Sequence, residues 1–445
     1  KYFFKIVFLL TVIPIRLFIC KLNTPFGANL KNKLNTQHFI DLEKKYGAND
    51  YNPLPVVLSK GKGVFLWDVN GKKYYDFLSA YSAVNQGHCH PEIIKVLKEQ
   101  ASKLTLTSRA FHNDRLGEYM EFASNLFGYE RLLPMNTGAE GVETAIKIVR
   151  KWGHTIKGIP DHSSKIVVCD SNFHGRTTTI ISFSSDKGSK EFFGPHTQGF
   201  YNVPFDDLDS LEKIFNQDEN IAGFLVEPIQ GEAGVIVPKD GYLEGVRKLC
   251  TKHNILFVAD EIQTGLGRTG KLLATQYEDS KPDVLILGKA LSGGTFPVSA
   301  VLCNSEIMSV IKPGQHGSTF GGNPLGSAIS KSAIEIILNE KLIENARKLG
   351  VIFRDKISSH IKSSGIIDLV RGKGLLNAIV VKDKKRNTQT AWNICLRLKE
   401  NGLLAKPTHG NIIRFAPPLV INESQMNECI SIILETINEF EHDNL

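Results

Sequence analysis

The sequence predicts an α/β protein: a mostly parallel sheet with helices on both faces, accompanied by a smaller α+β domain. Two observations carry that expectation. Between residues about 88 and 325, short apolar runs at 165–169, 221–226, 255–259, 284–287 and 298–303 alternate with stretches of helical periodicity. Those runs lack the polar alternation of a half-solvated strand, so both faces must be covered, as in parallel sheets. Beyond Asn323-Pro324 the alternation gives way to a long helical stretch and two further strand candidates, at 369–379 and 412–415. The implied organisation is a leader at 1–40, an arm and hairpin at 41–87 belonging with the small domain, a large domain at 88–325 and a C-terminal small domain at 326–445.

In chain order, the leader comes first. Residues 1–40 hold six of the 53 Lys and Arg and none of the 46 Asp and Glu. The net charge of +7 therefore belongs to the leader; the other 47 basic residues nearly cancel the acids, and no footprint for a nucleic-acid backbone is implied. Its first 20 residues resemble the apolar core of a signal peptide, but Pro14 and Arg16 interrupt them and make a poor bilayer-spanning helix. The missing initiator Met fits a fragment or a mistranslated leader. Next, residues 63–69 and 73–77 flank Asn70-Gly71, the two-residue turn of a hairpin.

At 136–141, Asn-Thr-Gly-Ala-Glu-Gly opens a helical pattern that runs to Arg150. Thr137 can cap that helix, leaving free N–H groups and the positive end of the dipole for an anion; an ordinary capped helix reads the same way. Asp260-Glu261-Ile262-Gln263 then ends the buried run 255–259, and Lys289 follows the run 284–287 into the turn Ala290-Leu291-Ser292-Gly293-Gly294. A lysine brought by a buried strand into a glycine-rich turn loses hydration, and its pKa falls. Only a neutral amine attacks a carbonyl. Alone, such a lysine more commonly reaches out to water. Asp260 changes the balance, because ligands of parallel sheets sit beyond the strand carboxyl ends. There Lys289 could hold the aldehyde of pyridoxal phosphate, Asp260 could keep its ring nitrogen protonated, and the turn at 137–139 could take its phosphate.

Other patterns carry less. Gly265-Leu266-Gly267-Arg268-Thr269-Gly270 matches a dinucleotide fingerprint, but the candidate for the required acid about twenty residues on, Asp283, precedes the next strand instead of closing it. With Lys271 the segment nearly spells a phosphate-binding loop, yet Leu272 stands where Ser or Thr must ligate magnesium. His88-Cys89-His90 does not suit a metal, since neighbours in an extended segment point to opposite sides. Seven dispersed cysteines without a Cys-x-x-Cys pair read as reduced thiols in an intracellular compartment.

From about residue 46 to 440 the chain resembles the fold-type I, subgroup II (class-III) aminotransferases, and among them the ornithine-specific enzymes. The resemblance rests on Tyr81-Ser82-Ala83-Val84-Asn85-Gln86-Gly87-His88, Val226-Glu227-Pro228-Ile229-Gln230-Gly231-Glu232, Asp260-Glu261-Ile262-Gln263-Thr264-Gly265, Gly288-Lys289-Ala290 and Gly317-Ser318-Thr319-Phe320-Gly321-Gly322-Asn323-Pro324. It implies a sheet of the seven-stranded type, pyridoxal 5'-phosphate as cofactor, ornithine and 2-oxoglutarate as substrates, and a homodimer with shared active sites, a higher oligomer staying open. With the acid-free leader it also implies the mitochondrial matrix, the cytoplasm being the alternative.

By that resemblance Lys289 holds the cofactor and moves the proton, and Asp260 salt-bridges the ring nitrogen. Gln263 bonds the ring hydroxyl, Phe173 stacks on the ring, Gly138 and Ala139 give phosphate-binding amides, and Thr319 reaches the phosphate of the neighbouring subunit. Arg176 binds the α-carboxylate of ornithine or the distal carboxylate of 2-oxoglutarate, and Arg414 the α-carboxylate of the oxo acid. Glu232 pairs with Arg414 in one half-reaction and releases it in the other, or else makes a fixed ion pair between domains. Tyr51 and Tyr81 bracket the α-amino and carboxylate groups of ornithine. His174 stands where the ornithine enzymes commonly have Trp, and it receives no role. No metal is expected. The alternatives are an acetylornithine or 4-aminobutyrate donor and, from another class, a non-catalytic or membrane-tethered relative; the intact Lys289, Asp260 and Arg176 set speaks against lost catalysis.

Overall fold

The computed structural model describes residues 35–362, 364–382 and 389–443. Residues 1–34, which include most of the expected leader, lie outside the described residues. The chain divides into two compact units, 1–51 and 52–445. In the first, Asn35 caps the helix Thr36–Tyr46 by accepting from the His38 N–H, and the helix buries none of its residues.

In the second unit the strands are β1 (Leu58–Lys62), β2 (Phe65–Asp68), β3 (Lys73–Asp76), β4 (Arg131–Met135), β5 (Lys165–Cys169), β6 (Phe200–Val203), β7 (Ile221–Val226), β8 (Leu256–Asp260), β9 (Val284–Leu287), β10 (Ser299–Cys303), β11 (Ile367–Lys373), β12 (Leu376–Val381), β13 (Leu403–Leu404), β14 (Lys406–Thr408) and β15 (Ile412–Phe415). A seven-stranded sheet runs in the order β4-β10-β9-β8-β7-β5-β6. Its pairs are parallel except where β10 lies antiparallel to β9 and β4. Every residue of β7, β8, β9 and β10 is buried, as their unbroken apolar runs require.

Successive side chains of these strands feed different cores, because a strand alternates its faces. In β8, Leu256 and Val258 share a core with Val142, Ile146 and Val149 of the helix Gly138–Trp152. Phe257 and Ala259 share another with Leu243 and Val246 of the helix Tyr242–Lys252. Each large side chain buried in this way contributes about 1.5–3 kcal/mol. Helices on both faces thus hold the carboxyl edge of the sheet in place.

The expected hairpin forms from β2 and β3, with Phe65 opposite Tyr75 and Gly71 at φ +87° turning the chain. β3 also pairs in parallel with β13, which joins the hairpin to the C-terminal part of the unit. The single strand expected over 369–379 is instead two. β11 and β12 form an antiparallel hairpin that turns at Gly374-Leu375, within a second sheet ordered β11-β12-β15-β14. Gly374 explains the difference: at φ +53°, a β-carbon there would lie 2.2 Å from the Thr269 carbonyl carbon. The apolar pattern runs on through the turn because Leu375 is itself buried. Arg268, also wholly buried, clasps this tip, donating to the carbonyls of Leu375 (3.0 Å) and Pro417 (2.6 Å) and to Asn85 Oδ1 (2.5 Å). Leu375 N–H donates back to the Arg268 carbonyl at 3.0 Å. All three acceptors are neutral, and burial lowers the Arg268 pKa to about 9.

Among the described residues no helix is long and apolar enough to cross a membrane, and no group of three His, Cys, Asp or Glu could hold a metal ion.

Candidate active site

β8 and β9 run side by side in parallel with Asp260 opposite Ile286, so both strands end at the same edge of the sheet. Gly288 continues extended, and Lys289 then turns into the left-handed region at φ +45° to open the short helical turn Lys289–Ser292. A non-glycine residue held there costs about 1–3 kcal/mol, and such strain clusters at functional sites. Burial is the main cause that lowers the Lys289 pKa; the carboxylates of Glu232 and Asp260 oppose it, and Arg414 adds to it. The net fall enlarges the fraction of neutral amine near neutral pH.

Asp260 is 4% exposed. Its Oδ2 accepts from His174 Nδ1 at 2.7 Å, and its Oδ1 accepts from the Ile262 N–H at 3.0 Å. Burial would lower the His174 pKa, but the hydrogen bond and charge of Asp260 outweigh it and the net shift is upward. His174 thus fixes the orientation of the Asp260 side chain through a buried hydrogen bond. His174 Nε2 is buried and makes no hydrogen bond among the described residues. Glu227 lies close by, directly after β7, and its carboxylate accepts from the N–H groups of Phe173 (3.0 Å) and Gly231 (3.2 Å). Burial raises its pKa to about 7.

Thr137 caps the helix Gly138–Trp152 reciprocally: Thr137 Oγ1 accepts from the Glu140 N–H at 3.2 Å, and Glu140 accepts from the Thr137 N–H at 3.0 Å. The N–H groups that a first helical turn leaves unpaired belong here to Gly138 and Ala139. Both residues line one cavity of about 200 Å³ together with Phe173, Asp260, Gln263 and Lys289.

A second cavity of about 470 Å³ shares Phe173, His174 and Gly175 with the first and adds Arg176, Glu232 and Thr408. The Arg176 guanidinium stands 5.6 Å from the Phe173 ring centroid. Glu232 Oε1 accepts from Arg414 Nη1 at 2.6 Å and from Gln263 Nε2 at 3.4 Å. Burial pushes the Glu232 pKa up, yet the charge and hydrogen bond of Arg414 bring it down on balance. Arg414, buried on β15, lies 4.8 Å from the Tyr81 ring centroid. The structure therefore brings Lys289, Asp260, Gly138, Ala139, Phe173, Gln263, Arg176, Glu232, Arg414 and Tyr81 into two connected cavities and their walls.

One sequence-predicted residue falls elsewhere. Thr319 is exposed and lines neither cavity, although Ser318 beside it accepts from Asn136 Nδ2 at 2.8 Å. Tyr51 is the last residue of the first unit and is exposed. Conversely, sequence reasoning gave no role to His174 or Glu227. No spacing rule could join His174 to Asp260, 86 residues away. Glu227 did carry a signal: like Asp260, it is an acid at the carboxyl end of a wholly buried strand.

A poised amine opposite an anchored carboxylate, with a phenyl side chain and a helix N-terminus between them, fits an aldehyde-bearing pyridine ring that carries a phosphate. By class, then, the protein is a pyridoxal-phosphate-dependent transferase. Comparison with known proteins narrows this: the family "Aminotransferase class-III" matches residues 46–437, and the chain belongs to it. The ornithine aminotransferase, mitochondrial, of Drosophila melanogaster is 60% identical over 395 residues, 89% of this chain and 90% of its own. An ornithine aminotransferase structure from Toxoplasma gondii, described with partial occupancy of PLP at its active site, superposes with a TM-score of 0.91 at 45% identity, covering 93% of this chain and 96% of that one. The acetylornithine aminotransferase of Elizabethkingia anophelis gives a TM-score of 0.84 at 57% identity, with coverage of 91% and 99%.

Proposed function

We propose that the protein is an ornithine δ-aminotransferase. It moves the δ-amine of L-ornithine to 2-oxoglutarate, giving glutamate and glutamate 5-semialdehyde, which closes to pyrroline-5-carboxylate. The observation that carries this reading is the part-buried Glu232–Arg414 pair, 2.6 Å apart, with Glu232 lining the cavity that shares Phe173, His174 and Gly175 with the Lys289 cavity. A δ-amine donor must keep its α-carboxylate away from Arg414, whereas the oxo acid must present its α-carboxylate there. A carboxylate that covers or releases Arg414 separates the two orientations.

When bound, pyridoxal phosphate supplies the electron sink for the reaction. Around it, Asp260 would hold the ring-nitrogen proton, with His174 aiming Asp260. Gly138 and Ala139 would offer N–H groups to the phosphate, Phe173 would pack on the ring face, and Gln263 would bond the ring hydroxyl. Lys289 Nζ would hold the aldehyde and, as a neutral amine, could take and return the substrate proton. Arg176 grips the α-carboxylate of ornithine or the distal carboxylate of the oxo acid with its planar fork. Tyr51 and Tyr81 bracket the donor's α-amino and carboxylate groups. Thr319 serves the phosphate of a second copy, so the working assembly is a homodimer with shared sites. The acid-free leader and the mitochondrial name of the Drosophila relative support a matrix location, which subcellular fractionation tests.

One observation favours a second reading, an acetylated donor: the Elizabethkingia relative carries the acetylornithine name. A panel of ornithine, acetylornithine and 4-aminobutyrate with 2-oxoglutarate, read by pyrroline-5-carboxylate formation and glutamate release, decides between them. Ornithine should lead in kcat/KM by about tenfold or more. A lead for acetylornithine overturns the proposal.

A further inference from the structure

If Arg414 turns to a substrate carboxylate, Glu232 loses the partner that compensates its charge. Breaking a buried pair this way is costly unless a second cation is at hand. β14 carries one. It pairs antiparallel with β15, Lys406 opposite Arg414 and Thr408 opposite Ile412. Directly opposed residues of an antiparallel pair project from the same face, as do residues two apart in a strand. Lys406, Thr408 and Arg414 therefore share one face of the second sheet, and that face meets Glu232. Thr408 Oγ1 donates to the Glu232 carbonyl at 2.9 Å, while Arg414 Nη1 donates to Glu232 Oε1 at 2.6 Å. Lys406 is half-buried there; burial and then Arg414 lower its pKa, and Glu232 raises it. Lys289 also lowers the Glu232 pKa, but its task requires it to be neutral.

We propose that Lys406 is a positioning residue of the second half-reaction, taking the Glu232 carboxylate when Arg414 binds the α-carboxylate of the oxo acid. Lys406 thereby sets the affinity for the dicarboxylate co-substrate without touching the donor. This inference rests on the δ-aminotransferase reading and on the Glu232 switch within it. Only ion pairs are exchanged; no covalent bond changes.

The test uses the holoenzyme with Lys406→Met and Lys406→Arg, the two half-reactions followed separately by cofactor absorbance, and calorimetric binding of glutarate, a dicarboxylate that cannot react. Lys406→Met should raise the KM for 2-oxoglutarate and the Kd for glutarate about tenfold while kcat and the ornithine half-reaction hold within about twofold. Lys406→Arg should restore both. Equal weakening of the two half-reactions would mark a merely structural lysine, and unchanged glutarate binding would also overturn the role. Glu232→Ala in the same series separates the failures. If its ratio of δ- to α-transamination equals that of the wild type, the switch is wrong. If the ratio moves while Lys406→Met changes nothing, only the Lys406 role falls.

Discussion

Asp260 and Arg414 are both buried, each bonded to one ionisable side chain, yet their frames differ. Asp260 ends β8 in the interior of the seven-stranded sheet, and His174 meets it from the segment after β5 of that same sheet. Arg414 sits on β15 of the second sheet, and Glu232 approaches from the turn after β7. The first pair stays within one layered body, whereas the second bridges two sheets. Cofactor chemistry calls for the first arrangement, and discrimination between two substrates in one pocket for the second.

Substitutions can break or sharpen that contrast. The largest effect belongs to Lys289→Ala, which should cut turnover by about 10⁴-fold or more and change the absorbance of the bound cofactor; a turnover assay that finds near-normal rates ends the assignment. Asp260→Asn should lower kcat by about 10²- to 10³-fold, and because it weakens the acceptor that His174 bonds, stability in denaturant unfolding should fall as well. Product ratios should stay as in the wild type. Glu232→Ala should do the reverse, keeping kcat for ornithine within an order of magnitude while raising α- relative to δ-transamination about tenfold. Were Asp260→Asn to shift the ratio and Glu232→Ala to abolish turnover, the division between the two regions would be wrong.

The smallest effect is one of pH. Glu227 is raised from 4.5 to about 7 by burial, so its neutral form contributes stability below 4.5 that is lost as pH rises through about 7. Glu227→Gln should therefore flatten the fall in unfolding free energy across that window, by about 1–3 kcal/mol. A variant that still loses stability like the wild type there would place the titration on another group, and His174 is the first to examine.

Legibility followed the range of the interactions. β7, β8 and β9 are unbroken apolar runs, and the rule that ligands sit beyond strand carboxyl ends is enough to bring Asp260 and Lys289 together. The same rule, applied to β7, points to Glu227. The Glu232–Arg414 contact spans 182 residues and joins two sheets, so no periodicity announces it; resemblance alone suggested it. The turn at Gly374-Leu375 hid because a buried Leu375 continues the strand's pattern, and what makes the glycine necessary is a backbone neighbour, Thr269, far away in sequence. Lys406 faces Arg414 through sheet register, which only the pairing of β14 with β15 reveals.

Arg268 and the hairpin tip against Thr269 turn the loop between Asp260 and Gly270 into a braced strut. Gln263 lies on that strut and touches Glu232, while three segments distant in sequence, around Asn85, Leu375 and Pro417, hold the strut at Arg268. Pressure applied at Gly374, for instance by Gly374→Ala, should be transmitted through Thr269 to the Gln263–Glu232 contact. Substrate preference would then be tunable from a lever arm well outside the cavity.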